Sequence, residues 1–145
     1  AENLKVTRYN DDSEIQYVQK ELSEPDVWAN LSTGAYGYYN DDLSNSDTYG
    51  NLYNWYAVDD GGLCMEGWHA PSHEEWTVLT DYLGGSSIAG EKMKEAGHEH
   101  WIYYSDEITE GATNESGFTG LPAGYRNKGY GDFWRLSYQC HFWTS

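Results

Sequence analysis

The side chains of this sequence that could do chemistry are its histidines, its paired acids and its two cysteines, and spacing decides how far each can go. His69 and His73 lie four apart, and His98 and His100 lie two apart. A zinc ion held on a helix wants the pattern H-E-x-x-H, which puts both imidazoles on one face. Pro71 stands between His69 and His73, so one helical turn cannot carry both rings, and structural histidine is the better reading. Acidic pairs occur at Asp11-Asp12, Asp41-Asp42 and Asp59-Asp60. Calcium takes roughly six to eight oxygens from carboxylates, carbonyls and water. Asn40-Asp41-Asp42 with Asn45 and Asp47 could supply several of these, although not in the fixed order of an EF-hand loop. Solvated turn residues are the default reading; calcium held by Asp41, Asp42 and Asp47 is the alternative. There is no G-x-S-x-G, no phosphate loop and no recognisable pair of catalytic carboxylates, so catalysis is not expected. Cys64 and Cys140 lack a CxxC pattern. They read either as one long-range disulfide in an oxidising compartment or as two free buried thiols.

The aromatic side chains carry a different kind of chemistry. The chain has 14 Tyr and 7 Trp against 3 Phe, a bias toward rings with a polar handle. Tyr36, Tyr38, Tyr39, Tyr130, Trp134 and Tyr138 lie in Gly-rich, polar contexts. Such rings stack on sugars or anchor a protein partner, or else they cover a small core beneath long loops.

The elements that must position these residues are short. At 145 residues and 16.5 kDa the chain fits one domain, with no internal repeat and no boundary. A mean hydropathy of −0.80 hints at disorder, but the aromatic content argues against it. Asn3–Val18 reads as extended runs around a turn at Tyr9-Asn10-Asp11-Asp12. Gly34–Val58 is dense in turn formers and reads as ordered loop, ending in a short structured element at Leu52–Val58. Ser72 and Glu75 make the S-x-x-E capping box, Trp76, Leu79 and Leu83 recur at helical spacing, and Gly84-Gly85 supplies a stop. These signals predict a helix over His73–Leu83. A second, shorter helix is expected from Ser87 to Gly97 with Ile88 and Met93 inward, then a loop from His98 leading into a strand near Tyr104. Strands are expected at Phe118–Leu121, Gly124–Asn127 and His141–Thr144.

A net charge of −16, from 24 acidic and 8 basic residues, repels phosphate backbones and anionic membrane surfaces. Nucleic acid is therefore not expected as a partner. No apolar run is long enough to span a bilayer, so membrane insertion is not expected either. An acidic surface suits solubility first, and after that a cation or a neutral ligand such as a glycan.

Several segments together are familiar. Ala1-Glu2-Asn3-Leu4-Lys5, YGNLYNWYAV (Tyr49–Val58), GLCMEGWHAPSHEEWTVLTDYLGG (Gly62–Gly85) and the tail from Ala112 to Ser145 resemble, in order, the Fibrobacter succinogenes major paralogous domain. The resemblance implies an exported or surface-displayed bacterial domain of α+β class, C-type-lectin-like and related to the formylglycine-generating-enzyme fold. Such a fold packs one or two short helices on small twisted antiparallel sheets with long ordered loops. Formylglycine-generating relatives oxidise a substrate cysteine with a pair of C-terminal cysteines. Cys140 stands alone in that region here, so that chemistry should not carry over. The family also implies that Trp55, Trp68, Trp76 and Trp143 are core and that His69 is structural. Met65 stands where the family usually has proline. The family pattern starts before Ala1 and runs on past Phe142–Ser145, which implies missing terminal strands and exposed edges open to self-association.

Between the pattern residues Gly124, Tyr125, Arg126, Gly129, Phe133 and Phe142-Trp143 stand Asn127, Lys128, Tyr130, Asp132, Trp134, Arg135, Tyr138, Gln139 and His141. These side chains are large, polar-aromatic and mixed, as in a paratope, and form the expected ligand face. Arg126 is expected instead to be structural, bonded to a carboxylate or to backbone carbonyls. The reading is an extracellular or cell-surface recognition module for a glycan or surface protein. A structural or assembly subunit of a surface complex is the alternative, and an enzyme comes last.

Overall fold

One side chain, Asn54, ties together the first half of the molecule in the computed structural model, which describes residues 2–20, 27–60, 62–102 and 112–145. Its Oδ1 accepts from the Ala57 N–H at 3.0 Å, capping helix α2 (Trp55–Asp59), and from the Ala35 N–H at 3.0 Å in strand β2 (Ala35–Gly37). Its Nδ2 donates to the Thr33 carbonyl at 2.9 Å. Strand β1 (Gln16–Tyr17) pairs with β2 in parallel, Tyr17 against Tyr36, and β3 (Leu52–Tyr53) pairs with β2 antiparallel, Tyr36 against Tyr53. The sheet is therefore mixed rather than antiparallel, with β2 central and all of its residues buried.

The sequence pattern understates order between Gly34 and Val58. Besides β2, β3 and α2, this stretch folds helix α1 (Leu43–Tyr49), whose sequence LSNSDTY shows no apolar period. Asp42 accounts for it. Its Oδ1 accepts the Ser44 N–H at 2.9 Å as a cap, and long-range bonds hold the body, Asn3 Nδ2 to the Tyr49 carbonyl and Lys5 Nζ to the Asp47 carbonyl. Tertiary contacts supply what propensity does not.

Helix α3 (His73–Tyr82) forms where the capping box places it, with Ser72 Oγ accepting from Glu75 N at 3.2 Å and Glu75 Oε2 accepting from Ser72 N at 2.8 Å. It stops at Gly84 and Gly85, both at positive φ. A Cβ on Gly84 would stand 2.6 Å from the Ile88 side chain, so the tight stop needs glycine. Helix α4 covers only Ala89–Met93, shorter than expected, and Ile88 is 40% exposed rather than inward.

The last third is irregular chain around one hairpin. Strands β4 (Tyr125–Arg126) and β5 (Phe133–Trp134) pair antiparallel, Tyr125 against Trp134 and Arg126 against Phe133. The expected strand at Phe118–Leu121 reduces to a single parallel bridge between Gly120 and Lys94. Residues 141–144 run irregularly, anchored by Trp143 Nε1 donating to the Tyr53 carbonyl at 2.9 Å. The strand expected near Tyr104 lies outside the described residues.

Two buried clusters sit on either face of β2. One joins Ile15, Tyr36, Val58 and Leu63; the other joins Val18, Trp28 and Ala35. The molecule is a small α+β protein with short helices and small sheets.

Candidate functional site

The hairpin is built by its turn. Asn127 Oδ1 accepts from the Gly129 N–H at 2.7 Å and from the Tyr130 N–H at 3.2 Å, and Gly131 at φ 67° closes the loop. Arg126 locks the hairpin to the body. Its Nε donates to the Gly131 carbonyl at 3.0 Å and its Nη1 to the Val18 carbonyl at 2.5 Å. The guanidinium lies over Trp28 at 4.3 Å and over Phe133 at 5.0 Å. Arg126 is thus the structural arginine expected, bonded to carbonyls.

The register gives the hairpin two faces. Arg126 and Phe133 turn inward, so their neighbours Tyr125 and Trp134, which oppose each other across the ladder, share the other face. There Tyr125 meets His141 edge-on at 4.9 Å, and His141 Nε2 lies 3.2 Å from Gln139 Oε1. A cleft of about 300 Å³ opens beside them, walled by Tyr125, His141, Phe142 and Trp143 from the tail and by Trp28 and Tyr53 from the first half. Trp143 stacks on Trp55 at 5.7 Å, which fixes that wall. Gly124 brings the chain in close: at φ 65°, a Cβ there would stand 2.5 Å from the Trp134 carbonyl.

Of the expected ligand face, the structure brings His141, Gln139 and Trp134 to this cleft or its rim. Lys128 and Tyr130 are exposed on the hairpin turn, Tyr130 at 68%. Two residues have other work: Asn127 holds the turn, and Asp132 is ion-paired with Lys20. Arg135 is exposed at positive φ in the turn that follows, and Tyr138 is half-buried.

The early tyrosines sort differently. Tyr36 and Tyr39 are core, at 7% and 8% exposure, and Tyr39 stacks on Phe133 at 5.4 Å beneath the hairpin. Three of the four tryptophans expected in the core are exposed instead: Trp55 at 38%, Trp68 at 73% and Trp143 at 48%. The wall contributed by Trp28 and Tyr53 was missed because nothing in the sequence joins residues so far from the tail. The long-range bond from Trp143 to Tyr53 is what makes that contact.

The calcium candidates are engaged with the chain's own donors. Both Asp41 carboxylate oxygens accept from the Lys20 N–H, and Asp42 caps α1. Asp47 is exposed on α1, where its carbonyl takes the Lys5 ammonium. Among the described residues, the groups whose ligand atoms gather within 4.8 Å are instead Glu95, Glu99 and His100. Glu95 there already holds the His100 Nδ1 at 2.9 Å. Cys64 and Cys140 are both free, and burial pushes each thiol above its ordinary pKa. No helix among the described residues is long and apolar enough to cross a membrane.

The model of the Fibrobacter succinogenes major domain matches residues 1–145. The chain belongs to that family. The match spans the whole chain, the cleft lined by Tyr125, Phe142 and Trp143 included. No curated protein and no solved structure matches the chain.

Proposed function

We propose that this member of the family is an exported, lectin-like recognition domain that holds a glycan in the cleft between the hairpin and the Trp28–Tyr53 wall, without acting on it chemically. The observation that carries the reading is the cleft itself, of about 300 Å³, with Tyr125, Phe142 and Trp143 around it and His141 at its lining. A cavity of this size lies at the small end of the ligand-pocket range, roughly 300 to 1,000 Å³. Ring faces take the apolar side of a sugar, while His141 and Gln139 exchange hydrogen bonds with its hydroxyls. Trp134, 51% exposed, and Tyr130 extend the platform beyond the cleft. The raised thiol pKa values of Cys64 and Cys140 keep sulfur protonated, which favours binding over cysteine chemistry.

A glycan array probed with the purified domain, in calcium and again in chelator, tests this. A hit lost in Trp134→Ala and in His141→Ala, each with an unchanged Tm, supports it. Binding that both variants retain places the site elsewhere.

The assembly-subunit reading has one observation in its favour. Strand β1 is at the edge of its sheet, and both of its residues are exposed. A stable oligomer in sedimentation, together with silence on the array, would select that reading.

A further inference from the structure

A second aromatic groove, of about 440 Å³, lies at the start of α3. It is lined by Trp68, Pro71, Trp76, Leu79 and Phe118, with His69 and Glu75 as its polar side chains. Trp68 is held out into water by its backbone. The Trp68 N–H donates to the Met65 carbonyl at 2.9 Å, and Gly67 at φ 83° makes the turn. At 73% exposure, a whole indole face is open beside the groove. On the other side, Trp76 and Phe118 meet edge-on at 5.9 Å, and each packs on Phe142 behind them.

The charge of the groove is as distinctive as its walls. Glu75 accepts the Ser72 N–H at 2.8 Å and lies 3.0 Å from His69 Nε2. The Ser72 backbone bond, then His69, holds its carboxyl below the usual range, so it is ionised at neutral pH. The whole chain adds a net charge of −16. A sugar would find few hydrogen-bonding groups here, because Glu75 and His69 already face each other and the Trp76 N–H is sealed from solvent. A cation with an apolar skin needs only aromatic faces and a negative potential.

We infer that this groove binds a quaternary ammonium group, with Trp68 covering it and Glu75 supplying the counter-charge. The site is separate from the glycan cleft, shares none of its lining residues, and stands or falls independently of it. The same headgroup reaches a site as a free solute or at the end of a trimethylated lysine, so both sources belong in the test.

Choline, its uncharged carbon isostere and a trimethyl-lysine peptide are titrated into the full chain by calorimetry, with tryptophan fluorescence as a second readout. Choline is expected to saturate one site, with the isostere weaker by about tenfold or more. Trp68→Ala should abolish that binding. Glu75→Gln, whose amide preserves the capping box, should weaken it about tenfold with an unchanged Tm. Tighter binding of the peptide than of choline assigns the site to methylated protein; the reverse assigns it to the free solute. Equal affinity for choline and isostere would reduce the groove to plain apolar surface and overturn the inference. So would binding retained in Trp68→Ala, or no binding of either cation by folded protein.

Discussion

The tyrosines around β2 and the aromatic residues of the C-terminal hairpin are set in similar Gly-rich, polar sequence, yet they end in opposite places. Tyr36 and Tyr39 are buried, at 7% and 8%, whereas Tyr130 and Trp134 stand 68% and 51% exposed. The difference lies in how many neighbours each backbone has. Strand β2 is flanked by β1 and β3 and has an apolar cluster on each side, so its rings have nowhere to go but inward. The hairpin of β4 and β5 has a single sheet neighbour for each strand and rests on the body through one face. Composition selects aromatic residues in both regions; topology decides which of them a ligand can reach.

That comparison depends most on Arg126, which fixes the hairpin against the first half. Replacing it by methionine leaves the buried Val18 and Gly131 carbonyls without their charged donor. We expect Arg126→Met to lower stability by about 3 kcal/mol, the largest effect of this set, measured by urea unfolding. A loss below about 1 kcal/mol would mean that the hairpin stays seated without it.

Gly124 is the next test, where the backbone is pressed between the far strand of the hairpin and the Tyr39 ring. A methyl group there meets the Trp134 carbonyl, the Leu136 nitrogen and the Tyr39 ring, all within 2.8 Å, at a left-handed φ of 65°. Gly124→Ala should cost about 2 kcal/mol, and its circular dichroism in the aromatic region should change as Tyr39 shifts.

How far these regions could be read in advance follows the same division. Helix α3 was legible because its signals are local: Ser72, Glu75, and glycines at 84 and 85 lie within one short window. Helix α1 was not, because its order rests on bonds from Asn3 and Lys5 more than forty residues away. The polar-aromatic composition of the hairpin tail is legible in the sequence, but the turn held by Asn127 and the ion pair made by Asp132 are not, since they depend on the folded hairpin and on distant Lys20. The far wall of the cleft, Trp28 and Tyr53, has no local signature at all.

The cap of α3 provides a smaller perturbation, distant from both tyrosines and hairpin. Ser72→Ala removes the acceptor for the Glu75 N–H and should cost about 1 kcal/mol. It should leave the cleft beside the hairpin unaffected, so array binding serves as the check that the two halves are energetically separate.

Alkaline titration reads the buried tyrosines directly. Burial, followed by the bond to Tyr38, pushes Tyr36 from 10.0 up to about 12. Burial raises Tyr53 as well. A folded pKa above the unfolded one gives stability that is whole below pH 10.0 and lost as pH rises through about 12. Tyr36→Phe should therefore flatten the fall of the urea midpoint over that window while changing little at neutral pH. Tyr53 should keep part of the slope.

The smallest expected change in stability belongs to Trp134, and it bears most directly on function. Its ring lies on the open face of the hairpin, opposite Tyr125, so Trp134→Ala removes area that already faces water. Unfolding should shift by no more than about 0.5 kcal/mol. A tryptophan that costs little to remove, in contrast to Tyr36 and Tyr39, which are sealed in the core, is one the fold does not need for its own packing. A loss well above 1 kcal/mol in the same urea experiment would show Trp134 packed like Tyr39. The contrast between the two regions would then vanish, and with it the argument that the hairpin's rings are kept free for a ligand.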